Sequence, residues 1–268
     1  MSPDSIPVRS ADTLACRTCG AGAPVDEHFC PNCSRILALG RHGDFFSFLG
    51  LPRQLNIDLQ ELERNFRELS RKFHPDYYYN ASSQERLASL ERSSYLNDAY
   101  RALKNPAARI EHLLAIEGLP AVKSEGASTG QAATKVPPAL LEEVFALNEE
   151  LDEIREARES GADAATLRKR LETAREPIDR KREEHEAQLE ALSTQWDAER
   201  DTAAVARKRE TLEALRTVLL ERNYINNLLA TIEREVASVG SGLQASGSGT
   251  TGPSDAPEAR SPKPEARG

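Results

Sequence analysis

The chain has 268 residues, 43 Asp+Glu against 35 Lys+Arg for a net charge of −8, and is 39% hydrophobic but only 5% aromatic. Such a length holds one large domain or two to three small ones, and so few aromatics among 29% charged residues exclude one large, dense core in favour of small helical units. No apolar run approaches the ~20 residues of a membrane-spanning helix, which excludes a helical membrane protein, and residues 1–15, with Asp4 and Asp12, lack the apolar stretch of a secretory signal.

Residues 1–15 read as a flexible, polar lead-in. Residues 16–36 form a cysteine module, in which Cys16, Cys19, Cys30 and Cys33 are spaced C-x2-C-x10-C-x2-C. Each C-x-x-C turns back on itself, so two such turns complete a tetrahedron of thiolates. That ligand set suits one structural zinc ion with no open position for catalysis. Gly20 and Ser34 follow the second cysteine of each pair and suit tight turns. An iron–sulfur cluster or two redox-active pairs would use the same four thiolates. Paired cysteines of this kind point to a reducing compartment, and the chain is expected to be cytoplasmic.

Residues 44–118 read as a compact helical domain with a connecting helix. Residues 58–73 are capped by Asp58, with Glu61 at capping-box spacing. Leu59, Leu62, Phe66, Leu69 and Phe73 form one apolar stripe. Off it lie Arg64, Arg67, Arg71 and Lys72, interrupted by Glu68. His74-Pro75-Asp76 then ends the helix, because proline stops it and biases His74 away from helical geometry, displaying the polar pair on a loop. A second helix over about 84–104 ends at Asn105-Pro106, and Phe45, Phe46 and Leu49 close the core. Residues 121–137 are small and polar, as in a linker.

Residues 138–237 read as long amphipathic helices carrying 24 acidic against 16 basic residues, the whole excess of the chain. A lobe of that charge repels phosphate, so nucleic acid is not an expected partner. Leu140, Val144, Leu147, Leu151 and Ile154 form a core stripe, with Leu141 and Phe145 a second stripe about 100° round the helix. This surplus is either extra core or an exposed partner site, with Glu142, Glu149 and Glu153 nearby. A middle helix over about 163–197 is interrupted by Glu176-Pro177 and is expected to kink or break near residue 175. In the last helix Val218, Ile225, Leu229, Ile232 and Val236 form the inward seam, and Leu220 and Tyr224 step off it. Residues 240–268 are low in complexity and read as a disordered tail. No partner is identifiable for His28, His42, His112 or His185.

The stretch around His74-Pro75-Asp76, with Arg71-Lys72-Phe73 before it, resembles the J-domain of DnaJ-type co-chaperones. The resemblance implies that His74, Pro75 and Asp76, with Arg64, Arg67, Arg71 and Lys72, contact a DnaK/HscA-type chaperone ATPase and trigger hydrolysis there. General DnaJ proteins follow this domain with a Gly/Phe-rich segment and a repeated cysteine region, neither of which is present. Instead LNDAYRALKNPAARIEHLL (residues 96–114) and EELDEI (residues 149–154) are similar to the HscB family, the co-chaperones of iron–sulfur cluster biogenesis. In that family a J-domain is joined to a three-helix lobe that binds an IscU-type scaffold, and some members carry an N-terminal four-cysteine module. The resemblance covers about 44–237, is strong through residue 154 and then weakens. It implies scaffold contacts by Leu141, Phe145 and Tyr224 with the acidic Glu142, Glu149 and Glu153, although Glu142 stands where bacterial relatives carry an apolar residue.

The expected fold is mostly α: a J-domain helical hairpin, a C-terminal three-helix bundle over 138–237 and a small zinc-ribbon-like module. The expected role is that of a non-enzymatic adaptor between chaperone and scaffold. Rival readings are a general J-domain co-chaperone for other clients and a zinc-ribbon J-protein acting on nucleic acid or the ribosome.

Overall fold

The computed structural model describes residues 13–24, 27–39, 43–119, 136–199, 201 and 204–241, the side chains of 240 and 241 excepted. The expected lead-in before residue 13, the linker over 121–135, the tail after residue 241 and His42 lie outside the described residues.

The protein is mostly helical. At its N-terminus, β1 (Thr13–Ala15) pairs antiparallel with β2 (Gly22–Pro24), Leu14 opposite Ala23. A second turn of chain brings Phe29 against Ile36 in an isolated antiparallel bridge. The short helix α1 (Phe45–Phe48) follows, its first turn held by the Phe46 N–H on the Asp44 carboxylate (2.9 Å).

A helical hairpin comes next. Asp58 caps α2 (Leu59–Phe73) through the Gln60 N–H (2.8 Å). A reciprocal capping box forms at the next helix, α3 (Ser83–Lys104), where Ser82 and Glu85 exchange bonds. Leu62, Leu69 and Phe73 of α2 are buried against Ala88, Leu96, Ala99 and Leu103 of α3 and Phe46, Phe48 and Leu49 of the α1 region. Phe66 is half-buried and stacks on Tyr100 at 4.2 Å. Leu59, expected on the same stripe, is exposed; the packed part of the hairpin begins one turn later, at Leu62.

The C-terminal lobe is a three-helix bundle of α5 (Leu141–Glu159), α6 (Ala164–Glu199) and α7 (Val205–Ser241). Its core joins Leu140, Val144, Leu147, Leu151 and Ile154 to Leu167, Leu171 and Ile178 and to Ile225, Leu229 and Ile232. Of the kink or break expected there, the break does not occur: α6 is one helix across Pro177. Leu171 and Ile178 are buried on either side of the proline, so packing against α5 and α7 offsets the roughly 3 kcal/mol that an interior proline costs. The seam of α7 also differs from expectation. Leu212, Leu215 and Leu219 are buried ahead of Ile225, while Val218 and Val236 are half-buried beside the seam. The helix is longer than periodicity over 218–236 indicates, and its first half serves a different core.

That other core joins hairpin and bundle. Helix α4 (Pro106–Ile116) starts at a proline in the first turn, and Asn105 caps it through the Ala108 N–H (3.1 Å). Leu55, Ile110, Leu113, Leu114 and Leu119 pack on Leu189, Trp196, Leu212, Leu215 and Leu219. Polar bonds fix the register. The Asp197 carboxylate accepts the N–H groups of Leu55 (2.7 Å) and Asn56 (2.8 Å). Buried Arg109 donates to Leu103 O (2.7 Å) and to Leu55 O.

Asp197→Ala removes the acceptor of two backbone N–H groups at this junction. It is expected to lower unfolding free energy by about 1.5–3 kcal/mol, read by urea denaturation, with the Leu55 and Asn56 amides exchanging faster with solvent.

Candidate functional site

Three features project from this frame. The first is the loop between α2 and α3. Phe73, the last residue of α2, is fully buried, and its carbonyl accepts the hydroxyls of Ser89 (2.6 Å) and Ser93 (2.9 Å) on α3. Pro75 lacks an N–H and opens a 3₁₀ turn over Pro75–Tyr78, closed from below by the Tyr78 hydroxyl on Lys72 O (3.0 Å). The chain therefore leaves the core abruptly, with the His74 side chain 52% and the Asp76 side chain 87% exposed. The Asp76 N–H donates to His74 Nδ1 (3.3 Å), so the neutral ring carries its proton on Nε2. Tyr77 and Tyr79 beside them are also exposed, residues the sequence reading did not single out.

Arg64, Arg67, Arg71 and Lys72 are all exposed on α2. The basic face is more interrupted than expected, since Arg67 pairs with Glu63 and Lys72 with Glu68 (2.6 Å). Exposed pairs of this kind are weak and re-form readily around a partner. His74 and Asp76 thus form a displayed polar pair beside a row of cations.

The second feature is the cysteine cluster. Each C-x-x-C closes the same way: Gly20 N–H to Cys16 O and Ser34 N–H to Cys30 O, both 2.8 Å. Both closing residues are left-handed, Gly20 at φ 74° and Ser34 at φ 56°. The four Sγ atoms lie within 4.8 Å of one another, with Cys16–Cys33 and Cys19–Cys30 at 3.7 Å. Tetrahedral thiolates about 2.3 Å from one ion stand about 3.8 Å apart, so the donor set fits a single metal ion. The site also favours thiolates unevenly. The Cys19 and Thr18 N–H groups lower the Cys16 pKa, and the Asn32 amide and Ala21 N–H lower that of Cys19 to about 6. At Cys33 the Arg35 N–H favours the thiolate, but burial and the three neighbouring sulfurs push its pKa up to about 12. Four sulfurs this close become thiolates together only with a cation among them.

The third feature lies on the bundle. Phe145 is 70% and Leu141 39% exposed, so of the two readings of the second stripe, extra core is excluded for both. Arg155 of α5 bonds Glu235 of α7 and Arg158 bonds Ser238, both at a separation of 80 residues. These helices run parallel, and the same offset sets Tyr224, half-buried against the bundle core, level with Val144. Glu149 is exposed within about 40° of Phe145 round α5. Glu142 and Glu153 turn towards α6 instead: Glu142 lines an apolar groove of roughly 580 Å³ between α5 and α6, and Glu153 pairs with Arg170 (2.6 Å).

Three of the histidines without an expected partner have one. His28 lies between Arg92 and Phe48 O, His112 stacks on Phe45 at 4.1 Å, and His185 sits between Lys181 O (2.7 Å) and Glu221 (3.0 Å). Apart from Lys181, one turn back on the same helix, these partners are 20 to 67 residues away, which no local pattern reveals.

No family model matches the chain. Among curated proteins it is 40% identical over 109 residues to the co-chaperone HscB homologue of Vibrio vulnificus, covering 41% of this chain and 60% of that protein. It is 33% identical over 129 residues to the co-chaperone HscB of Proteus mirabilis, covering 48% of this chain and 70% of that protein. The chain thus spans about 60% of the length of the Vibrio relatives. Among solved structures, human co-chaperone HscB has the same fold, with a TM-score of 0.55 at 21% identity over 83% of this chain and 98% of that one. HscB from Vibrio cholerae gives 0.50 at 24% identity over 73% and 99%.

The cluster geometry makes a direct forecast. The chain is expected to bind one divalent zinc or cobalt ion, the cobalt form showing tetrahedral thiolate absorption, and Cys30→Ser is expected to abolish it. Ser34→Gly is expected to keep metal binding and to leave stability unchanged or raise it by up to about 1 kcal/mol, since a left-handed backbone strains serine and not glycine.

Proposed function

The chain belongs to the HscB family of co-chaperones, and from that membership we propose that it couples an IscU-type iron–sulfur scaffold to a DnaK/HscA-type chaperone and stimulates ATP hydrolysis by that chaperone. The observation that carries the reading is the pairing of a displayed His74-Pro75-Asp76 loop with an exposed apolar patch on a separate lobe.

Physical roles follow from the geometry. His74 and Asp76 present a donor and a carboxylate to the chaperone, while Pro75 holds the turn in which both face outward. Arg64, Arg67, Arg71 and Lys72 attract an acidic partner surface along α2. On the bundle, Phe145, Leu141 and Tyr224 offer an apolar anchor with Glu149 at its rim, the composition of a partner-binding centre. Glu142 and Glu153 act at most from the α6 side of that patch. The α4 junction keeps the two surfaces in fixed relation, so a scaffold held on the bundle is presented to a chaperone engaged at the loop. The reaction itself belongs to the partner ATPase.

At the four-cysteine site the proposed ion is zinc. The thiolate set and the 3.7 Å sulfur separations favour one ion over an iron–sulfur cluster, whose several irons would spread the cysteines further apart. Free thiolates of this kind suit a reducing, cytoplasmic setting.

Steady-state ATP hydrolysis by the chaperone tests the reading. Wild-type protein plus scaffold is expected to stimulate synergistically, and His74→Gln to abolish the effect without changing scaffold affinity. Stimulation that needs His74 but ignores the scaffold would leave a J-protein for other clients. For the bundle, Phe145→Ala and Tyr224→Ala are each expected to weaken scaffold binding about 10-fold or more, the usual cost of truncating a buried aromatic anchor, measured by calorimetry. Unchanged affinity in both would remove the patch from the interface.

A further inference from the structure

The cysteine module is seated on the hairpin through one buried cation. Arg92, midway along α3, is fully buried. Its Nε donates to Leu37 O (2.8 Å), and Nη2 donates to Glu27 O and Ala38 O (3.2 Å each). Nη1 donates to His28 Nδ1 (2.7 Å). All four acceptors are neutral, and all belong to the module or the segment that leaves it. The guanidinium also lies over the rings of Phe73 (5.6 Å) and Phe48 (6.0 Å). Because arginine only donates, His28 Nδ1 accepts, and its Nε2 donates to Phe48 O (3.1 Å). The same imidazole meets Phe48 and Phe73 edge-on, at 4.8 and 5.1 Å.

A second bond reaches the same region. Arg35, two residues after Cys33, pairs with Glu85 at 3.0 Å. Glu85 is the carboxylate that completes the Ser82 capping box of α3. The His74-Pro75-Asp76 loop hangs between two anchors, Phe73 at the end of α2 and Ser82 at the start of α3. The module braces both, through Arg92 and His28 on Phe73 and through Arg35 on the partner of Ser82.

The acceptors of Arg92 lie at 27–28 and 37–38, the two ends of the turn that carries Cys30 and Cys33. Those ends are kept together by the Leu37 N–H on His28 O (3.0 Å) and the Cys30 N–H on Arg35 O (2.8 Å). A segment of this size has too little core to hold such a shape alone and depends on its metal ion. When the ends separate, a buried guanidinium loses every acceptor at once, which is strongly unfavourable. The hairpin around Phe73 must then open to solvate it.

We propose that Arg92 is a positioning residue through which metal occupancy of the four-cysteine site governs the His74-Pro75-Asp76 loop. The loop is braced for the chaperone in the metal-loaded protein and released when the metal is withdrawn. The bundle, and with it the patch at Phe145, stays as it was. This rests on the co-chaperone reading for its consequence, but the coupling is a property of the chain alone.

The test is hydrogen exchange on the full chain, loaded with one equivalent of zinc or stripped by a chelator that is then removed. ATPase stimulation and scaffold affinity are read on the same samples. Stripping is expected to speed exchange about 10-fold or more in 69–73 and 83–95, and less than about twofold in α6 and α7, a local opening and not a global one. The concentration for half-maximal ATPase stimulation rises while scaffold affinity holds. Arg92→Met, of similar length without the charge, is expected to bind one zinc yet show raised exchange in 83–95 already when loaded. Should Arg92→Met fail to fold, Cys19→Ser/Cys33→Ser takes its place and must match the stripped wild type. Unchanged exchange in 69–95 on stripping, or an equal rise across α5–α7, overturns the coupling. If loaded wild-type protein fails to stimulate the chaperone, the co-chaperone reading falls, while the exchange data still decide the coupling.

Discussion

Phe73 is the residue on which the N-terminal half is built. It ends α2, and its ring is enclosed by α1, α3 and the cysteine module together, while its carbonyl is held by two serines of α3. Two residues later Pro75 forbids the helix to continue. A loop that leaves a fully buried aromatic and meets a proline within two residues has almost no freedom in its direction. The exposure of His74 and Asp76 is therefore imposed by packing beneath the loop, and polar side chains are displayed in a fixed orientation instead of on a mobile tip.

The same economy joins the two lobes. Helix α4 contributes one face to the junction, the first half of α7 contributes another, and Trp196 and Leu189 of α6 complete it. Apolar burial supplies the adhesion, but it is non-directional. Direction comes from Asp197 and Arg109, whose bonds to backbone groups near Leu55 hold only in one register. A mutual arrangement of loop and bundle that depends on such bonds is rigid, as the proposed hand-over between scaffold and chaperone requires.

Charge is distributed in keeping with that division. The hairpin balances its acids and bases, with four exposed cations on α2, while the bundle holds the whole excess of −8. Much of the bundle's charge is consumed in ion pairs between helices, such as Glu150 and Glu153 with Arg170 and Glu235 with Arg155. Glu149 stays exposed beside Phe145, a carboxylate at the rim of an apolar patch.

Local sequence determined the elements whose causes are local. Pro75 after His74 dictated the end of α2, the C-x-x-C spacing dictated two matching turns, and residues stepping by three and four dictated which faces of α2 and α5 are apolar. The helical class and the likeness to the HscB family were legible for that reason. The tertiary structure alone decided what depends on partners distant in the chain. It showed that Leu141 and Phe145 are surface and not core, that Glu142 and Glu153 face α6, and that α6 passes through Pro177 because neighbours on both sides hold it. It also showed that Arg92, which no local pattern marks out, is buried under a module more than 50 residues away. A buried polar group is identified by the acceptors that surround it, and those are assembled only when the chain has folded.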